Sequence, residues 1–112
     1  MDQKIIDVDH LLTMTGGDLD LAEEVLDIFR HQAEIWGRIL KVDLPPRQWA
    51  DAAHTIKGAA LSIGAGVLAE TCQAAEALGR SEAPGRTESA IILREVRDRL
   101  TETLDACSNV TY

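Results

Sequence analysis

Cysteine, aromatic side chains, basic charge and long apolar runs are all scarce in this chain of 112 residues. Its two cysteines, Cys72 and Cys107, cannot build the disulfide framework of a small secreted domain, and they form no C-x-x-C pair. Reduced, packed thiols are the expectation. The four aromatics, Phe29, Trp36, Trp49 and Tyr112, are too few and too scattered to form a base-stacking platform. A net charge of −8 is repelled by nucleic-acid phosphates and by anionic lipid. No apolar run approaches the ~20 residues of a membrane span. The opening Met1-Asp2-Gln3-Lys4 lacks the basic-then-apolar pattern of a signal peptide. These absences point to a cytoplasmic protein whose partners are neither nucleic acid nor membrane. The length suits one domain over residues 1–112 with a single modest core.

What remains is rich in alanine and leucine, with no β-branched alternation, so the fold class expected is all-α. Gly16-Gly17-Asp18, Asp43-Leu44-Pro45-Pro46 and the stretch from Ser81 to Arg86 interrupt the chain. A short helix is expected over about Asp7 to Thr15, with Val8, Leu11, Leu12 and Met14 as its apolar residues. A second runs from about Asp18 to Val42, with Asp20-x-x-Glu23 as a capping box and an inward stripe of Ala22, Val25, Phe29, Ala33, Trp36 and Leu40. A third starts near Pro46 and turns Trp49, Ala52, Ala53, Ile56, Ala60 and Ile63 inward. A fourth runs from about Ala65 to Leu78, with Leu68, Cys72, Ala75 and Leu78 inward, and Gly79 ends it. The last spans about Thr87 to Cys107 on Leu93, Val96, Leu100 and Leu104. Four long amphipathic helices with short connections predict an antiparallel, up-and-down four-helix bundle, with the short N-terminal helix added at one end.

The third helix carries the chemistry. An α-helix advances about 100° per residue. With His54 at zero, Lys57 falls at about −60°, Gly58 at about +40° and Leu61 at about −20°. Arg47 and Asp51 lie within about 60° of it, whereas Ile56 lies about 160° away. If Ile56 faces the core, His54 faces water. An imidazole there is a nucleophile at neutral pH that needs no second base. Lys57 supplies a cation one turn on, able to offset an incoming phosphoryl charge as a point charge. Gly58 costs the helix ~1 kcal/mol against alanine. What it provides is clearance over the imidazole. Leu61 adds an apolar contact to the same face.

The stretch Ala53-His54-Thr55-Ile56-Lys57-Gly58-Ala59-Ala60-Leu61-Ser62-Ile63-Gly64-Ala65 resembles the signature of histidine-containing phosphotransfer (HPt) domains. Leu68, Cys72 and Glu76 continue that pattern at four-residue steps, and the acidic second helix containing Phe29 suits it. The resemblance implies that His54 is phosphorylated, through Nε2, that Lys57 stabilises the phosphoryl group, and that Gly58 lets a receiver domain approach. It implies that Gly64 permits a tight turn into the fourth helix. The expected partners are the receiver domains of a hybrid histidine kinase and of a response regulator, whose aspartates exchange the phosphoryl group with His54. Mg²⁺ would sit on the receiver, so neither cofactor, metal nor ATP site is expected here, and the protein is a carrier rather than an enzyme. Leu61, Arg47 and Asp51, with Leu21, Ile28 and Ile35 of the second helix, form the expected docking surface of a monomer, unless those three merely widen the core stripe.

Other readings compete with this one. Asp51-x-x-His54 has the spacing of a carboxylate–histidine metal pair, but a di-iron bundle needs two inward copies and the chain has one. A helical adaptor without phosphotransfer would have little reason to hold both His54 and Lys57. The dimerising part of a sensor kinase would precede an ATP-binding domain, and no glycine-rich nucleotide loop is present. A piece of a larger kinase is a further alternative. The initial methionine and a plausible last helix favour a complete protein. His10 and His31 lack a K-G pair, and Asn109-Val110-Thr111 is a sequon without consequence in a cytoplasmic tail.

Overall fold

Glycine and proline mark the helix ends, as their backbone chemistry requires. The structure, a computed structural model, describes residues 5–110. Its helices are α1 (Val8–Met14), α2 (Leu19–Ile39), α3 (Pro46–Ser62), α4 (Gly66–Gly79) and α5 (Arg86–Ser108), with no strand among the described residues. Gly16 and Gly17 both take positive φ between α1 and α2, a conformation glycine adopts without steric penalty. Pro45 and Pro46 stop the chain from continuing a helix backwards and start α3.

Helices α2 to α5 form an antiparallel bundle. Arg30 of α2 donates to the Cys107 carbonyl at 3.3 Å, and Arg97 donates to the Leu40 carbonyl at 2.6 Å, which sets α2 antiparallel to α5. The start of α3 meets the end of α4 at Gly79, and this helix pair packs most extensively. The shared core takes Leu26, Phe29 and Ala33 from α2, and Trp49, Ile56 and Ala60 from α3. Leu68 and Cys72 of α4 and Leu93, Val96 and Leu100 of α5 complete it. Phe29 and Trp36 meet edge to face with ring centroids 5.7 Å apart.

Helix α1 packs over the α3–α4 turn. Its N-cap, Asp7, accepts from the His10 amide and donates its own N–H to the Gly64 carbonyl at 2.9 Å. His10 Nε2 donates to the Leu61 carbonyl at 3.0 Å. Gly64 has φ +75°, and a β-carbon there would lie 2.8 Å from the Asp7 carbonyl oxygen, so both the turn and the approach of the N-terminal segment demand glycine.

The structure corrects several local expectations. Asp18, not Asp20, caps α2, its carboxylate accepting from the Leu21 amide, so the Asp20-x-x-Glu23 box is not the cap. α2 ends at Ile39 rather than Val42. Leu26 is fully buried, whereas Val25, Leu78 and Leu104 are only half-buried. Gly79 is the last residue of α4 but not a left-handed cap, since Arg80 caps the helix in right-handed geometry. Glycine is needed at position 79 for packing: a β-carbon would lie 2.6 Å from the Trp49 ring and 2.7 Å from the Ala50 β-carbon.

Candidate functional site

With Trp49, Ala53, Ile56 and Ala60 all buried, the opposite face of α3 is left to solvent. His54 stands on it with its side chain 62% exposed. Lys57 is half-buried one turn on, and Gly58 beside it is open, with nothing within 4 Å of where a β-carbon would stand. No internal contact therefore requires glycine at position 58. Leu61 extends the face and is 54% exposed. Arg47 is exposed at the first turn and lines a small cleft with Gly79 and Arg80.

Helix α4 contributes a second row at four-residue steps: Cys72, Glu76 and Arg80. Cys72 is buried, and desolvation pushes its thiol up to about 12. Glu76 holds the site together. Its side chain is only 15% exposed, and His54 Nδ1 donates to its Oε1 at 3.2 Å while lying 2.9 Å from Oε2. Lys57 Nζ approaches Oε1 at 3.5 Å, and Arg80 Nε donates to Oε2 at 3.1 Å. Desolvation raises the pKa of this carboxyl, but the hydrogen bonds from His54 and Arg80 and the charge of Lys57 outweigh it, and the net direction is down. Arg80 also donates to Asp51 Oδ1 at 2.9 Å. Both acidic groups hold its guanidinium pKa above the usual value. Asp51 is thus tied to the end of α4 while its side chain stays exposed.

The role of Glu76 and the presence of Arg80 were missed in the sequence. Glu76 entered only as part of a spacing pattern. The available signal was its four-residue step to Arg80, a pairing distance on any helix. Which helix faces them depends on tertiary packing.

A carboxylate only accepts, so with Nδ1 bonded to Glu76 the neutral imidazole carries its proton on that nitrogen and has a lone pair at Nε2. Nε2 has no protein partner among the described residues. No group of three or more metal-ligating side chains occurs among the described residues. Asp51 and His54 turn instead to Arg80 and Glu76.

On the α2 side, Leu21, Ile28 and Ile35 are exposed and do not widen the core stripe. Ile28 and Ile35 rim two grooves between α2 and α3. One, of about 170 Å³, is lined by Val25, Phe29, Trp36, Ala59 and Ile63 besides Ile28. The other, of about 420 Å³, runs past Trp36, Ile39, Asp51 and Thr55.

The Hpt domain family model matches residues 19–108. The crystal structure of the histidine phosphotransferase ShpA from Caulobacter crescentus superimposes with a TM-score of 0.76 at 34% sequence identity, covering 95% of this chain and 89% of that one. No curated protein matches the chain.

Proposed function

The chain belongs to the Hpt domain family, and on that premise we propose that His54 accepts a phosphoryl group from a receiver-domain aspartate of a hybrid histidine kinase and passes it to an aspartate of a response regulator. Phosphotransfer on histidine is the activity of the family. The identity of the residue and of its partners is our reading. It is carried by one observation: the Glu76 carboxylate accepts a hydrogen bond from Nδ1 of His54, which leaves Nε2 without a protein partner on the exposed side of the ring.

The chemistry balances on these residues. The Nε2 lone pair attacks the phosphorus of an aspartyl phosphate, the P–O bond to the aspartate breaks, and the carboxylate leaves. No proton has to depart, because Nε2 carries none. The ring becomes a phosphorylated imidazolium that keeps its Nδ1 proton, and the Glu76 carboxylate faces that new positive charge. Lys57 offsets the phosphoryl charge of about −2. In the reverse step a receiver carboxylate attacks the same phosphorus and Nε2 leaves with its electron pair. The chain acts as a carrier in both directions, with Mg²⁺ held by the receiver and no cofactor of its own.

Gly58 and Leu61, with Ile28 and Ile35 across the groove, form the surface on which the receiver sits, and Arg47 lies at its edge. We place the protein in the cytoplasm, as a monomer, because its receivers work there and its acidic surface suits neither membrane nor nucleic acid. Incubation with a phosphorylated receiver domain should transfer label to the chain in acid-labile, base-stable form. His54→Ala should abolish it without loss of helicity, and ATP alone should label neither. Full acceptance by His54→Ala would reject the assignment.

A further inference from the structure

Asp51 bonds to neither Nε2 nor the Lys57 ammonium, yet it ends a series of contacts that reaches the imidazole. Asp51 Oδ1 accepts from Arg80 at 2.9 Å, Arg80 Nε donates to Glu76 Oε2 at 3.1 Å, and the other oxygen of that carboxylate, Oε1, accepts from His54 Nδ1 at 3.2 Å. The chain leaves α3 at Asp51, crosses to α4 and returns to α3 one turn later.

Arg80 is the vulnerable link. Its side chain is 44% exposed, and a single bond from Nε to Glu76 would leave a long, flexible arm free to swing into solvent. A guanidinium is planar and presents its donors in a fixed fork, so pinning one end of the fork sets the direction of the other. Asp51 supplies that second pin. Glu76 in turn has two oxygens for three donors, and the direction of its carboxylate depends on Arg80 remaining at Oε2. The tautomer of a neutral imidazole is set by the hydrogen bond made at its other nitrogen.

We infer that Asp51 is a positioning residue: through Arg80 and Glu76 it holds the proton of His54 on Nδ1 and so keeps Nε2 free to react. Its meaning for function rests on the phosphoacceptor reading of His54, but the contact chain itself does not.

The test is ¹⁵N NMR of the histidine side chains in the unphosphorylated full chain, in mildly alkaline buffer, where neutral imidazole dominates. His54 is assigned by its loss in His54→Ala. The expected result is a predominantly Nδ1-protonated His54 in the unaltered protein. Asp51→Asn should lower the ratio of Nδ1–H to Nε2–H forms about two- to fivefold, the range an exposed ion pair commands. Asp51→Glu should restore it, since a longer carboxylate still reaches the guanidinium. Arg80→Gln should cause the same loss, and adding Asp51→Asn to it should change nothing more. An unaltered ratio in Asp51→Asn overturns the inference, as does a further shift when Asp51→Asn is added to Arg80→Gln. No phosphoryl donor is involved, so failure here leaves phosphoacceptance by His54 standing, and failure of phosphoacceptance leaves the tautomer result standing.

Discussion

Gly79 and Trp49 lie so close that a single added methyl group would come within 2.6 Å of the indole ring. Pro46 and Ala50 close the same space from the α3 side, at 3.0 and 2.7 Å. Gly79→Ala should therefore destabilise the fold by about 1–3 kcal/mol, the usual cost of overpacking, in spite of alanine's better helix propensity. Urea denaturation at constant m-value measures it. A variant as stable as the parent would show that this contact yields.

Gly58 should behave in the opposite sense. It too is helical, but nothing stands within 4 Å of its missing β-carbon. Gly58→Ala should stabilise the free chain by about 0.5–1 kcal/mol. Gly58→Leu should leave the fold intact and weaken receiver binding by about tenfold, or 1.4 kcal/mol, because the bulk lies in the path of the incoming domain. Titration against a receiver separates the two effects, and unchanged affinity for Gly58→Leu would remove the clearance argument.

Ile28 and Ile35 are 55% and 52% exposed, so replacing either by serine should change stability by no more than about 0.5 kcal/mol. If they line the docking surface, the same changes should weaken the receiver complex and slow transfer, with the label on His54 still acid-labile. A marked loss of stability with unchanged affinity would return both residues to a packing role.

Glu76 gives a signed pH dependence. Its folded-state carboxyl titrates below the ordinary range, so it contributes stability above the unfolded value of about 4.3 and loses it as pH falls through the lower folded value. Glu76→Gln should therefore be less stable than the parent at neutral pH, and the margin should close on acidification through the carboxylate range. Thermal melts across pH check this. A margin that fails to close below the carboxylate range would contradict the direction of the shift.

The outward placement of His54 was legible because the inward face of α3 is almost purely apolar, which leaves the helical arithmetic no ambiguity. α2 was harder. Its apolar residues cover more than half the circumference, so Leu26 escaped the inward stripe and Ile28 could be placed on either side. The cap of α2 was misread because both Asp18 and Asp20 satisfy the local rule, and only the backbone turn at Gly16 and Gly17 decides between them. Gly79 resembled a terminator because a glycine at a helix end usually is one. Its real constraint comes from an indole thirty positions earlier in the chain. The four-residue step from Glu76 to Arg80 pairs them with each other, but their contacts with His54, Lys57 and Asp51 come from another helix, and no periodicity within α4 names those.

The Hpt family model begins at residue 19, after α1 has ended. Yet His10 and Asp7 occupy the carbonyls of Leu61 and Gly64, and Leu11 is wholly enclosed. The span the family model matches is therefore smaller than the packed unit. A protein trimmed to the matched span would strip the lid from the hinge joining the two central helices, uncover apolar surface there and unfold at a lower temperature, although every group around the imidazole would still be encoded.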